Sequence, residues 1–400
     1  MTEAPSFPMT RGRCPFDPPP ELGRIRADEP VARVRLWDGS EPWLVTRYED
    51  VRAVLTDPRI SADSDRPGYP PPSPGIAARR RQAKAFINQD DPEHAAGRRL
   101  LTADFVIKKI ERLRPRIQQI VDQLIDDLLA GPKPADLVGA FALPVPSLVI
   151  CELLGVPYAD RAFFHRTSKT LISRDVTPEQ AVAATEELLG YLGDLVEKKA
   201  ADPGDDVLSR LAVEQLRTGK LTRRELAAMG QLLLVAGHET TANMIALGTV
   251  ALLENPAQLA GIRGTDDPAL LANAVEELLR YLTIVHLGRR RVATEDLEIG
   301  GQLIRKGEGV IAATDAANRD DTAFPAPDEL DLRRKARHHL AFGYGVHQCL
   351  GQPLARVELQ VVYGTLYRRV PTLALAVPVE QLNFKHDMVV YGVHELPVTW

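Results

Sequence analysis

Phe342-Gly-Tyr-Gly-Val-His-Gln-Cys349-Leu-Gly351-Gln-Pro353 reads as a glycine-punctuated loop that runs straight into a helix, with one cysteine aimed at the helix N-terminus. Unpaired N–H groups at a helix start carry partial positive charge, which stabilises an anionic sulfur and favours the thiolate. Glycine lets the backbone approach a flat ligand closely. A lone cysteine is more often a small buried hydrophobe. Cys151, inside Leu148-Val-Ile-Cys-Glu-Leu-Leu154, suits that bland role, and Cys14 precedes a proline in an exposed arm.

Those are the only three cysteines in 400 residues, too few and too separated for a disulfide framework or a zinc cluster. A reducing, cytoplasmic setting fits them. A formal net charge of -5 argues against a polyanionic partner, so no nucleic acid is expected. Met1 to Phe16 is polar and proline-punctuated, without the apolar stretch of a secretion signal. The apolar run Leu232 to Ala236 meets Gly237, His238 and Glu239 well short of a bilayer-spanning length, so no membrane anchor is expected. With 44% apolar and 26% charged residues the chain reads as globular, and residues 1–400 are taken as a single domain.

Apolar spacing of three and four predicts packing helices over His94 to Ala130 and Glu179 to Ala201. Thr222-Arg-Arg-Glu225 reads as a capping box that opens a helix uninterrupted to Asn255, about 50 Å long at 1.5 Å per residue. Further helices are expected over Pro268 to Tyr281 and from Pro353 towards Arg369. Val31 to Trp37, Trp43 to Thr46, Arg291 to Ile299, Gln302 to Ile304 and Met388 to Trp400 have strand character. The proline-rich stretch between Arg66 and Gly75 is expected to be irregular, and Arg66 to Ile87 is a candidate binding wall. The fold class is mainly α with a minor β-sheet region (α+β). The runs Arg79-Arg-Arg81 and Arg289-Arg-Arg291 read as solvated basic faces rather than as sites for an acidic substrate.

Mid-way along the long helix, Ala236-Gly237-His238-Glu239-Thr240-Thr241 sets an acid and two hydroxyls in an apolar run. Glycine is a poor helix former and threonine can divert hydrogen bonds from the ladder, so a local distortion is expected. Taken alone, this would be a kink with a solvated glutamate.

The loop spells Phe-x-x-Gly-x-x-x-Cys-x-Gly through Phe342, Gly345, Cys349 and Gly351, and this resembles the haem-binding signature of the cytochromes P450. Ala-Gly-x-Glu-Thr resembles the oxygen-activation motif on the long central helix of the same family. Glu277-x-x-Arg280 with Arg334, Ala317-Asn-Arg-Asp320 and the terminal Tyr391 to Trp400 extend the likeness over nearly the whole chain, to soluble P450s of actinobacterial type. Tyr344 and Gln348 depart from the residues more usual in that loop, which leaves the redox potential open.

The resemblance implies a long central helix over haem b (iron protoporphyrin IX), with Cys349 as the thiolate ligand that pushes electron density towards O–O cleavage. It implies that Thr240 orders water and Glu239 relays protons to the reacting oxygen. His94, Arg98, Arg291 and His347 match the family's propionate anchors, with Arg99, Arg289 and Arg290 as competitors. Glu277, Arg280 and Arg334 are implied as structural support behind the haem. Ile87, Leu232, Val235, Ala236, Ile284, Leu287 and Val390 fall in the substrate-recognition segments, and their apolarity implies an apolar substrate. The implied activity is monooxygenation with O2 of a polyketide, macrolide, terpenoid or steroid-like molecule, hydroxylation by default, in secondary metabolism or xenobiotic conversion. Epoxidation, demethylation or oxidative coupling at the same centre, a non-catalytic haem-bearing ligand-binding protein, and an all-helical scaffold without haem are the alternatives. The chain has no flavin or iron-sulfur segment, so a ferredoxin with its NAD(P)H-dependent ferredoxin reductase is the implied electron source, docking near Arg337 and Arg356. A monomer is the family expectation.

Overall fold

The capping box forms as its residue types require. Thr222 Oγ1 accepts the Glu225 N–H at 3.3 Å, and Glu225 Oε2 accepts the Thr222 N–H at 2.8 Å. Two of the four donors left free at a helix start are thereby satisfied. In this computed structural model, which describes residues 3–400 except 81 and 83, the helix so opened runs unbroken over Arg223–Leu253. Every residue from Thr241 to Leu252 is buried. The helix is apolar all round because helices Pro144–Leu154, Pro178–Ala201, Pro268–Leu282 and Gln352–Arg369 all pack against it. Each Leu or Ile so buried contributes roughly 1.5–3 kcal/mol.

The distortion expected at Gly237 to Thr241 does not break the helix. Instead Thr240 Oγ1 donates to the Ala236 carbonyl at 2.8 Å and Asn243 Nδ2 to the Glu239 carbonyl at 2.7 Å, so side chains engage the ladder acceptors locally. No single helix among the described residues is long and apolar enough to cross a membrane.

Other elements follow the sequence pattern with shifted ends. The amphipathic stretch from His94 to Ala130 is three helices, Glu93–Thr102, Ile107–Glu111 and Arg114–Ala130. Asp104, buried at the first break, holds Lys109 and Arg210. The proline-rich loop ends earlier than its composition suggests: Ser73 Oγ accepts the Ile76 N–H at 3.4 Å and caps a short helix Pro74–Arg79. Proline is tolerated there because a first-turn N–H has no partner to lose. Helix Pro178–Ala201 carries a second capping box, Thr177 with Gln180.

Five short strands form one sheet in the spatial order Val31–Arg33, Trp43–Val45, Gly309–Ala312, Arg289–Ala293 and Ile60–Ser61. Leu297–Ile299 and Gln302–Ile304 make a separate hairpin. Of the expected terminal strand, only Pro397–Thr399 is paired as one. Arg289 to Arg291 are not a solvated face. Their strand is flanked by Gly309–Ala312 and Ile60–Ser61, which leaves Arg290 only 5% and Arg291 8% exposed. In the other basic run burial pushes Arg79 down to about 10, while Arg81 lies outside the described residues.

Candidate active site

A cavity of about 450 Å³ separates the Cys349 loop from the middle of the central helix. Its floor includes Phe342, Cys349 and Leu350, and its roof Leu232, Ala236 and Thr240. Gly345 holds the loop in a turn with φ 72°, and a Cβ there would lie 2.6 Å from the Leu55 carbonyl oxygen. Only glycine meets both demands. The turn is closed by Gln348 N–H to the Gly345 carbonyl at 3.0 Å and by Cys349 N–H to the Phe342 carbonyl at 2.9 Å. Beside it the Tyr344 hydroxyl accepts from Arg52 at 2.7 Å.

The helix Gln352–Arg369 starts just after the cysteine, as expected, but in the protein alone the net effect on the thiol is upward. Burial is the largest influence and raises its pKa, while Arg289, the Gly351 N–H, Arg98 and Arg356 oppose it. A metal's charge is what such a thiol needs in order to ionise.

Among the described residues, arginines and a histidine line the cavity with no carboxylate paired to them. Arg98, Arg289, Arg291 and His347 line it, and among the described residues none of the three arginines makes an ion pair. Arg289 reaches only the Ala341 carbonyl at 3.2 Å, and Arg291 only the Arg290 carbonyl at 2.8 Å. Burial lowers the pKa of all three. The His94 and His347 rings lie 4.0 Å apart between centroids, and His94 Nδ1 is held by Asp91 at 3.0 Å. His94 Nε2 and His347 Nδ1 are buried without partners, and burial pushes His347 down to about 3. Buried cations and donors left in this state call for an anion.

Behind the loop, Glu277 binds Arg280 bidentately at 2.7 and 2.8 Å and takes Arg334 Nε at 3.1 Å. The three residues expected to support the site therefore do meet. A thiol facing an apolar roof across a slot edged by unpaired cations fits a flat iron macrocycle with two carboxylates. Among the described residues no cluster of three or more His, Cys, Asp or Glu could hold a bare metal ion.

Residues 267–372 match the family described as Cytochrome P450. Cytochrome P450 GfsF of Streptomyces halstedii is 55% identical over 100% of this chain and 97% of its own length. Its crystal structure superposes with a TM-score of 0.93, covering 99% of this chain and 100% of the other. The chain is a cytochrome P450. Other relatives include the vitamin D3 dihydroxylase of Streptomyces griseolus, 48% identical over 100% of this chain and 98% of its own. The structure of CYP105P1 in complex with filipin I, 46% identical, has a TM-score of 0.91 and covers 100% of this chain and 99% of that one. As a P450 the protein is a haem b monooxygenase that inserts one oxygen atom of O2 into a hydrophobic small molecule.

The P450 pocket corrects several expectations. Ile87, Leu232, Ala236, Ile284 and Leu287 line it, whereas Val235 and Val390 do not. Leu232, Ala236 and Thr240 repeat every four residues along one helix face, and Val235 lies about 100° round from Ala236, packed on the core instead. Val389 faces the pocket in place of its neighbour Val390, which is buried in the core. Tyr69, Pro72 and Phe86 bear out the Arg66 to Ile87 wall. Arg289 and Arg290, earlier only competitors, join Arg98, Arg291 and His347 on the cavity, while His94, absent from its lining, packs on the His347 ring.

Glu239 and Thr240 face different spaces. Thr240 lines the P450 pocket, but Glu239 lines a second cavity of about 220 Å³ behind the helix, with His165, Lys169, Asn243 and Lys385 among its walls. Burial would raise the Glu239 carboxyl, yet His238, Lys385 and His165 outweigh it, so it stays ionised at neutral pH.

The acid that lines the P450 pocket is Glu358, 1% exposed, which the sequence reading missed. Burial pushes it up to about 8, with Thr241 opposing, so it is neutral near pH 7. Because the folded pKa exceeds the unfolded one, its stabilising contribution is complete below about pH 4.5 and is lost as pH rises through about 8. Glu358→Gln should remove this slope, reducing the alkaline loss of stability by no more than about 5 kcal/mol. Thermal unfolding of haem-loaded wild type and variant at about pH 5.5 and about pH 8.5 checks it. Equal loss of stability in both proteins would remove the neutral carboxyl.

Proposed function

We propose that this P450 hydroxylates a polycyclic or macrocyclic small molecule, with all 400 residues acting as one cytoplasmic, monomeric domain. The observation that carries this reading is the apolar roof of Leu232, Ala236, Ile284 and Leu287 facing Cys349 across the cavity. An apolar wall holds an apolar substrate face by area, and a few polar groups fix its orientation. The vitamin D3 and filipin I named for two relatives are molecules of that kind.

When bound, haem supplies the redox chemistry: O2, two electrons and two protons give one inserted oxygen atom and one water. The protein's task is to hold the group and meter the protons. Cys349 would supply the thiolate ligand, Arg98, Arg289 and Arg291 would neutralise the propionates, and His94 and His347 would hydrogen-bond them. The lack of acidic partners on the three arginines, and the unpartnered His94 Nε2 and His347 Nδ1, support that role. Electrons come from a ferredoxin served by an NAD(P)H-dependent reductase. Arg337, exposed on the stretch leading into the ligand loop, is one basic contact for it.

Protons enter through the second cavity. Glu239, ionised and 3.6 Å from His238 Nε2, takes a proton from water there and, by turning its side chain, delivers it to the Thr240 side of the helix. Thr240 already donates to Ala236, so its oxygen lone pairs are free to order a water in the pocket. Positioned proton transfer contributes about 10²–10⁴-fold.

Thr240→Ala should keep the haem and continue to consume NAD(P)H, while product per NAD(P)H falls about tenfold or more. Glu239→Gln should slow turnover about 100-fold with haem intact. Product yield against NAD(P)H oxidation decides both. Coupled turnover at the wild-type rate in either variant overturns its assigned role.

A further inference from the structure

Glu276 precedes the supporting Glu277 in sequence but serves a different cluster. Its carboxylate is 7% exposed and accepts Arg356 Nε at 2.6 Å and Nη2 at 3.0 Å. The second partner of that carboxylate is His339, whose Nε2 lies 3.2 Å from Glu276 Oε2. His339 Nδ1 accepts the Ala341 N–H at 3.1 Å, so the ring proton sits on Nε2 and is donated to Glu276. Both arms end at the ligand loop. The Arg356 guanidinium lies 4.6 Å from the centroid of the Phe342 ring, and the His339 ring packs on the same phenyl at 5.8 Å. The carbonyl of Phe342 in turn takes the Cys349 N–H at 2.9 Å.

We propose that Glu276 is a positioning residue for the thiolate, clamping Arg356 and His339 so that Phe342 is fixed against the ligand loop and Arg356's positive charge at the sulfur is held partly neutralised. The proposal rests on the reading of Cys349 as the haem ligand. Arg356 sits on the helix Gln352–Arg369 that starts three residues after Cys349, and its guanidinium stacks on Phe342, whose carbonyl takes the Cys349 N–H, so its charge lies against the ligand loop. A carboxylate gripping the Nε–Nη2 edge of the guanidinium cancels much of that charge, and the planar fork sets the tilt over Phe342. Groups one step removed from a metal ligand orient it and tune its potential in this way. Glu276 and Gln352 Oε1, at 2.6 Å, take three of the five Arg356 N–H groups, so this inward role stands beside the expected contact with a ferredoxin.

The test is the ferric/ferrous midpoint of the haem-loaded protein, measured with the carbon monoxide difference spectrum of each reduced sample. Glu276→Gln should keep the thiolate-type spectrum and move the midpoint positive, because Arg356 is no longer neutralised. Arg356→Gln should move it negative, because an unbalanced Glu276 remains. A loosened loop would shift both in the same direction, so opposite signs are the signature of the clamp. Unchanged midpoints, or shifts of one sign, overturn the proposal. Should Glu276→Gln fail to hold haem, the sign in Arg356→Gln decides: a negative shift supports the clamp and any other result overturns it. A wild-type spectrum without thiolate character would instead overturn the Cys349 reading, and the proposal with it.

Discussion

Cys349→Ser is expected to lose the thiolate-type carbon monoxide spectrum and to lower oxygenation by three orders of magnitude or more, a barrier increase of at least about 4 kcal/mol. The substitution changes one atom at a half-buried site on the cavity, so the fold and the cationic rim should persist and haem should still bind through Arg98, Arg289 and Arg291. What disappears is the electron-rich sulfur. Burial already pushes the Cys349 thiol up, and a serine hydroxyl, far less acidic, would stay protonated in the same place and donate little charge to iron. Cys151→Ala is the matched control. Cys151 is buried in the core, pushed up to about 12 and absent from the cavity lining, so activity should be unchanged. Coupled oxygenation retained by Cys349→Ser would remove the thiolate from the mechanism.

The parts of this site that local chemistry dictates were legible in the sequence. Thr222 with Glu225 marks a helix start because the two side chains satisfy each other's backbone, and the helix begins where they say. Gly345 and Cys349 carry the loop because a positive φ and a close backbone approach admit only glycine. What stayed hidden depends on partners far along the chain. Arg289-Arg-Arg291 looks like a charged surface until strands at Gly309–Ala312 and Ile60–Ser61 close over it. Val235 and Val390 missed the pocket by one position, and one position rotates a helical side chain by about 100° or flips an extended one to the opposite face. For the same reason Glu276 and Glu277, adjacent in the chain, serve separate arginines, and Glu239 turns away from the cavity that Thr240 faces. Glu358 carries no motif, and only its burial beside the cavity distinguishes it from a surface glutamate.

Glu277→Ala is expected to cost about 3–5 kcal/mol and to yield little haem-loaded protein. Glu277 and Arg280 are both 0% exposed, and the pair is joined by two hydrogen bonds of 2.7 and 2.8 Å. Glu277 Oε1 also takes Arg334 Nε and, at 3.0 Å, the Asp331 N–H. Truncating the carboxylate strands a desolvated guanidinium and releases the segment that Asp331 and Arg334 anchor. Total stability of about 5–15 kcal/mol leaves little margin for such a loss. The damage reaches the active site by a traceable route. Arg280 Nη1 binds the Asn318 carbonyl at 2.8 Å, and Asn318 Oδ1 accepts the Leu340 N–H at 2.7 Å, two residues before Phe342 opens the ligand loop. A loosened Arg280 therefore frees the segment that sets Cys349. Exposed ion pairs at the same i,i+3 spacing, such as Glu21 with Arg24, contribute no more than about 1 kcal/mol, so Glu21→Ala is a useful contrast. Unfolding and haem retention measured on both variants should separate them widely. A Glu277→Ala protein within about 1 kcal/mol of wild type would mean that the buried pair is not what holds the loop in place.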